Sequence, residues 1–273
     1  MSAAGATGAL EFLAVDAEPA DGAEAPLARS PMEAQARAAG ARFEARHGWN
    51  VAVDYGEVTA EREAIATAAG WSDCSQLGKL ELQCAGDELA EIIARACAAD
   101  HTGDAEDRGQ GAGVPALELA SATHAAGAWW CPLAPGRLIA ICPSARTAAL
   151  RERLQASAAQ AQRPASVTEV TTLYAALTLA GPDAREVFAR FCALDLRASS
   201  TPLRALRPGS LARTPGLVLR EGEERFLMLF GWALGEYMWT VVEDAGRHLG
   251  ARPVGADALA SPHESAEQVG ANA

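Results

Sequence analysis

Residues 70–82 read GWSDCSQLGKLEL, with Ser72, Asp73, Cys74, Ser75 and Gln76 gathered just ahead of an alternating run. Gly70 stops the helical pattern upstream, and short polar side chains hydrogen-bond to nearby backbone. The local reading is therefore a turn followed by a strand over 77–82. A second reading makes the same turn the mouth of a ligand site. Outward from here the pattern is regular. Segments 31–46 and 57–69 are dominated by Ala, Glu and Arg and are predicted helical. Downstream, 88–99 puts Leu89, Ile92, Ile93 and Ala96 on one helical face. VPALELA (114–120), AWWCPL (128–133) and RLIAIC (137–142) are strand candidates, followed by a helix of about 20 residues from Ser144. In the second half LYAALTLAG (173–181) reads as a strand. Pro182 and Asp183 open a helix with Val187, Phe188, Phe191 and Cys192 on one face. FLMLF (226–230) is a strand, and a helix over 233–245 carries Leu234, Tyr237, Met238, Val241 and Val242 inward.

The two halves resemble each other. AGDELAEIIARAC (85–97) lies over AGPDAREVFARFC (180–192) without a gap, with identity at Ala85/Ala180, Gly86/Gly181, Glu91/Glu186, Ala94/Ala189, Arg95/Arg190 and Cys97/Cys192. Two copies are too few for a solenoid, so the expected fold is α+β, with duplicated strand–helix halves (about 30–163 and 164–259) joined in one domain. Glu91 and Arg95, like Glu186 and Arg190, are spaced i,i+4 with Glu first, as solvated helix pairs are. Residues 1–29 and 260–273 are read as mobile tails, although LEFLAV (10–15) could dock as a short strand. The segment 101–113 has no apolar periodicity and is read as an exposed loop.

Composition narrows the function classes. The formal charge of −12 over 273 residues excludes a nucleic-acid backbone or an anionic membrane as main partner, because both need a basic face. Cys74, Cys84, Cys97, Cys131, Cys142 and Cys192 occur singly, without a CxxC pair, and are read as buried free thiols, not metal ligands or disulfides. No apolar run reaches the ~20 residues of a membrane span and no basic–apolar leader is present, so a cytoplasmic location is expected. Nucleophile-elbow, phosphate-loop, dinucleotide and HExxH motifs are missing. Among the scattered histidines, His124 in SATHAAG lies between two strand candidates, where a general base could stand, though nothing in the sequence orients it. Ser75 has no neighbouring base. Trp129 and Trp130 are adjacent and must face opposite sides of a strand, so one of them can face a cavity.

The stretch HGWNVAVDYGEVTAEREAIATAAGWSDCSQLGKLELQ (47–83) resembles the start of the folate-binding domain of the glycine-cleavage T-protein (aminomethyltransferase) family, through Gly48, Trp49, Tyr55, Gly56, Glu61, Ala69, Gly70, Asp73, Ser75, Gly78 and Lys79. LTLAGPDAREVFARFCALDLR (177–197) and RPGSLART (207–214) look more like the γ subunit of heterotetrameric sarcosine oxidase, a relative of the same fold, and LGARPVGADAL (249–259) resembles the close of the folate domain. The resemblance covers about 30–259 and implies a T-protein-like domain, with no C-terminal β-barrel domain after it. It implies tetrahydrofolate as cofactor, without a metal, in a central channel lined by Tyr55, Asp73, Ser75, Gln76, Leu77, Trp129, Trp130 and Cys142.

The sequence departs from that family at its polar anchors. The family's acidic pair falls near Ala126 and Gly127, its asparagine on Cys142 and its later glutamate on Leu227. Its Arg-Thr-Gly-Tyr-Thr-Gly-Glu loop is replaced by Arg220-Glu221-Gly222-Glu223-Glu224. A buried pterin edge left without hydrogen-bond partners costs about 1–3 kcal/mol per lost group. Two functions are therefore expected from the resemblance. One is a folate-fold protein of one-carbon or methylated-amine metabolism that binds a folate-like ligand weakly, or with an oxidase or barrel-domain partner subunit. The other is a non-catalytic subunit like the sarcosine oxidase γ chain. No catalytic residue is assigned, since the carboxylate expected near Ala126 is missing.

Overall fold

A computed structural model describes residues 28–84, 88–98 and 117–260. Two strands anchor its two larger sheets. In the first, β5 (Gly78–Cys84) lies between β9 (Ala165–Glu169) and an antiparallel meander of β6 (Thr123–Ala125), β7 (Ala128–Ala134) and β8 (Arg137–Cys142), in the order β6-β7-β8-β5-β9. In the second, β10 (Tyr174–Ala180) lies between β4 (Gly70–Asp73) and the meander of β11 (Leu206–Leu211), β12 (Thr214–Gly222) and β13 (Arg225–Gly231). The order there is β11-β12-β13-β10-β4-β14, closed by β14 (Arg252–Pro253). α3 (Glu88–Ala98) follows β5, and α5 (Ala184–Ala189) follows β10. A 3-10 turn and then a long helix follow each meander, α4 (Thr147–Ala158) and α6 (Gly235–Gly246). A small sheet of β1 (Ala28–Arg29), β3 (Trp49–Asp54) and β2 (Arg42–Arg46), with α1 (Glu33–Ala38) and α2 (Val58–Thr67), precedes them; α7 (Ala256–Leu259) ends the described chain.

Strand alternation sorts side chains into three apolar layers. On one face of the first sheet Leu80, Leu82, Trp130, Leu138 and Ala140 meet Leu89, Ile92 and Ile93 of α3 and Leu150 and Leu154 of α4. On the outer face of the second, Leu177, Leu179, Phe226, Met228 and Phe230 meet Val187 and Phe188 of α5 and Met238, Trp239 and Val242 of α6. Between the sheets, Cys131, Ile139 and Ile141 meet Ala176, Leu219, Leu227 and Leu229. The sheets also join at their edges, where Ala122 N–H donates to Arg204 O at 2.8 Å and Leu206 N–H to Ala120 O at 3.0 Å. Burying one such aliphatic side chain contributes ~1.5–3 kcal/mol, so the inter-sheet layer alone makes the two halves one body. Gly181 has a structural reason: at φ 120°, a Cβ there would lie 2.5 Å from Ala68 O.

Several elements differ from expectation. The first helix ends at Ala38, and 42–46 pairs antiparallel with β3 across a tight turn at His47 and Gly48, both in the left-handed region at φ 49° and 78°. Gly70 begins a strand instead of ending a helix, with Trp71 opposite Leu179 and Asp73 opposite Leu177. Leu117 to Ala120 forms no strand, and 114–116 lies outside the described residues. The helix after Ser144 is a 3-10 turn plus α4, which ends at Ala158. In α6 the inward face is Met238, Trp239, Val242 and Ala245, whereas Tyr237 is 47% exposed and donates its hydroxyl to Ala212 O at 3.1 Å. The 3-10 turn over Trp232–Leu234 winds more tightly than an α-helix, which shifts the phase of the residues after it. Ala28 and Arg29, placed in the tail from sequence, pair in parallel with Trp49 and Asn50. His124 lies within β6 and not between strands. LEFLAV, Ala85 to Asp87, the 101–113 segment and 261–273 fall outside the described residues.

Candidate functional site

The polar turn over 72–76 directs its groups inward. Ser75 N–H donates to Asp73 Oδ1 at 2.9 Å, and Ser75 Oγ accepts from Ala176 N–H at 3.2 Å. Lys79, the sole lysine of the sequence, is buried; its Nζ donates to Leu77 O at 2.8 Å and Ser75 O at 3.0 Å. Burial pulls its pKa down to about 8, against the pull of the nearby Asp73. Burial pushes the Asp73 carboxyl up, against hydrogen bonds from Ser30 and Ser75. These residues knit the turn to the first strands of both sheets. Gln76 is half-buried beside them.

The other residues expected to line one channel fall in different places. Tyr55 packs against Trp239 with ring centroids 6.4 Å apart, and its buried hydroxyl has no hydrogen-bond partner among the described residues. Burial, with Asp73 and Glu61 nearby, raises its pKa. Cys142 faces α4, 3.8 Å from Thr147 Oγ1, and burial raises its thiol pKa. Trp130 is buried in the helix-side layer and donates Nε1–H to Ala125 O at 3.0 Å. Leu77 and Trp129 pack against the inter-sheet layer. On that same inner face, Lys79 lies opposite Ile141 and Glu81 opposite Ile139; Glu81 pairs with Arg137 at 2.8 Å, which holds its carboxyl low.

Glu221 is the group that sequence reasoning missed. Its side chain is 14% exposed, and Arg225 Nε lies 3.3 Å from Oε2. The Trp129 indole lies close enough to the same carboxylate to favour its charged form. Burial pushes the Glu221 pKa up, against Arg225 and Trp129. Glu221 also acts on the thiols of Cys74, pushed up to about 11 by burial, and Cys131, raised for the same reason; the inter-sheet thiols and this carboxylate therefore share one neighbourhood. The exposed His124 ring sits edge-on to Trp129, 4.9 Å between centroids. Arg225 also donates to Leu259 O at 3.2 Å and lines a surface depression of about 360 Å³ with Gly181, Glu224 and Leu259. Leu217 and Leu219 alternate onto the inner wall, but Glu221 falls at a register shift between Arg220 and Gly222, where period two no longer fixes a side chain's face, so no sequence period points to it.

The β12 and β13 side of the inner wall, next to Glu221, is apolar. Leu227 is 1% exposed in the inter-sheet layer. Ala126 and Gly127 form the tip of the β6–β7 hairpin, at φ 50° and 64°, and offer no side-chain anchor. Among the described residues no group of three or more His, Cys, Asp or Glu side chains could hold a metal ion, and no helix is long and apolar enough to cross a membrane. A carboxylate beside an indole and aliphatic walls can accept hydrogen bonds from an N–H-bearing edge.

Comparison with known proteins places the chain. An aminomethyltransferase from Frankia alni is 30% identical over 239 residues, 85% of this chain and 61% of that protein. One from Rubrobacter xylanophilus is 30% identical over 179 residues, 64% of this chain and 45% of its own. The chain thus spans about half the length of these curated relatives. Among solved structures, the glycine cleavage system aminomethyltransferase T from Bartonella henselae superposes with a TM-score of 0.67 at 18% identity, over 85% of this chain and 60% of that one. A chain of heterotetrameric sarcosine oxidase from Corynebacterium sp. U-96 superposes at 0.57 and 21% identity, over 72% of this chain and 94% of that one. Both superpositions show a common α+β fold. The family model for the GCVT N-terminal domain matches residues 32–263, and the chain belongs to that family.

Proposed function

We propose that this chain is a T-protein-like protein of one-carbon or methylated-amine metabolism, working in the cytoplasm, that binds a folate-like ligand weakly by itself or more tightly with a partner subunit. The observation that carries the proposal is the inner wall: Leu219, Leu227, Leu229, Ile139 and Ile141 are buried there, and Glu221 is the partly exposed carboxylate at its rim. Tetrahydrofolate, which the family implies, fits this donor set for binding, through apolar walls and one acceptor for its N–H edge. The set does not fit aminomethyl transfer, since Ala126 and Gly127 supply no positioned carboxylate. When bound, the cofactor would supply the one-carbon acceptor. The chain's part would be to hold the ring against Trp129 and Leu77 and to accept its N–H hydrogen bonds.

The order of elements supports reading the domain, about 30–259, as two duplicated halves, because strand, helix, three-strand meander, 3-10 turn and helix recur around β5 and around β10. One departure is that β4 intervenes between β10 and β14, whereas β9 pairs directly with β5. A second reading, a non-catalytic subunit, is favoured by the overlap with 94% of a sarcosine oxidase chain. Native mass spectrometry of the protein purified from its own cells separates the two. A retained small molecule on the lone chain supports the ligand reading, and a stoichiometric protein partner without one supports the subunit reading.

A further inference from the structure

We propose that a buried water molecule bridges the Trp71 indole N–H, the Tyr55 hydroxyl and the Asp73 carboxylate in the layer between the second sheet and α6. The inference rests on two unsatisfied polar atoms carried by neighbouring rings. Trp71 is 2% exposed, and its Nε1 and the Tyr55 hydroxyl oxygen are both buried without a hydrogen-bond partner among the described residues. Both rings pack on Trp239, at centroid distances of 6.1 Å for Trp71 and 6.4 Å for Tyr55. Trp71 and Asp73 lie opposite Leu179 and Leu177, which face α6, so both side chains sit on that face of β4. The Asp73 charge reaches the Tyr55 hydroxyl and, after burial, is the main cause that raises its pKa. The Tyr55 backbone is fixed, its N–H donating to Oε1 of the buried Glu61 at 2.6 Å. The chemistry of the three groups fits water. An indole N–H only donates, an ionised carboxylate only accepts, and a phenol does either. One water accepts from Trp71 and donates to Asp73, and the Tyr55 hydroxyl takes whichever role is left. Donors from Ser30 and Ser75 leave part of the about four lone-pair positions of the carboxylate open. Internal waters typically have about three such partners, and the bridge would tie the end of β3 to β4.

Removing the Tyr55 hydroxyl separates a bridged group from an unsatisfied one by sign. Tyr55→Phe takes a partner from the water, and the folding equilibrium constant read from urea melts of the full chain is expected to fall about fivefold or more. An unsatisfied hydroxyl predicts the opposite, because the same change removes a buried polar group that has no partner, and the constant rises. A direct protein partner would also give a fall, so a second measurement on the wild-type chain detects the water itself. In a ¹⁵N-labelled sample the indole N–H of Trp71, assigned by its loss in Trp71→Phe, is expected to show a cross-peak to the water resonance with the sign of a long-lived bound molecule. A fall in stability together with that cross-peak supports the proposal. An unchanged or raised folding constant overturns it, and so does the lack of a cross-peak. Should Tyr55→Phe fail to fold, the wild-type cross-peak decides alone.

Discussion

Replacing Lys79 by Met should change the pH dependence of stability more than stability itself near neutral pH. The ammonium is buried and its pKa falls from 10.5 to about 8, with burial as the main cause. At 1.36 kcal/mol per unit, holding the proton in the folded state at neutral pH costs about 3 kcal/mol. Against this, Nζ satisfies Leu77 O and Ser75 O, and losing those bonds costs about 1–3 kcal/mol each. The two effects nearly offset, so Lys79→Met should shift stability by less than about 2 kcal/mol at neutral pH. Between about 8 and 10.5 the unfolded chain holds a proton that the folded chain has released, so this group's contribution to stability rises with pH across that window. By about pH 9.5 the wild type should have gained about 2 kcal/mol relative to the variant, and other titrating groups cancel in the difference. Urea melts of both proteins at the two pH values measure it. Because Lys79 is the sole lysine, ¹³C-lysine labelling also gives one NMR signal whose midpoint reads the pKa directly. Parallel pH profiles, or a midpoint near the ordinary lysine value, would refute the reasoning.

Three further outcomes are expected. Ser75→Ala should cost about 1–2 kcal/mol in a thermal or urea melt by orphaning the Ala176 N–H, while leaving folate affinity within about twofold, since the hydroxyl is committed to β10. Trp130→Ala should cost about 3–5 kcal/mol through the cavity it leaves among Leu80, Leu138 and Leu154, measured by the same melts. Steady-state assays with tetrahydrofolate and an aminomethyl donor should give turnover at least about 10²-fold below active family members, because a positioned proton-transfer group contributes ~10²–10⁴-fold and none stands at Ala126; comparable turnover would contradict the account.

The fold was legible where one period dominates. Leu89, Ile92, Ile93 and Ala96 mark α3, and RLIAIC and FLMLF mark strands buried on both faces. It was obscure where composition and pairing disagree: RFEAR has helical composition, but the two-residue turn at His47-Gly48 folds it back onto β3 as a hairpin, a signal that composition masks. GWSD was read as a turn because small polar residues favour turns, although its backbone bonds are taken up by β10. The site was less legible than the fold. The expected residues came from a resemblance along the chain, and that says nothing about which face of a sheet a side chain occupies. Trp129 and Cys142 illustrate this: one packs against the inter-sheet layer and the other faces α4. Glu221 was hidden within a loop that differs from the family, at a register shift of β12 where strand alternation gives no direction for its side chain.

The most direct test of the central claim, that the family fold persists around a wall short of polar anchors, is calorimetry of the full chain with 5-formyltetrahydrofolate. Aliphatic walls, one aromatic ring and one acceptor replace several hydrogen bonds, and an aromatic contact adds only about 0.5–1.5 kcal/mol beyond area burial. The account predicts a Kd in the high-micromolar range or weaker, on the order of −5 kcal/mol. A Kd near about 1 μM or tighter for the chain alone would contradict it.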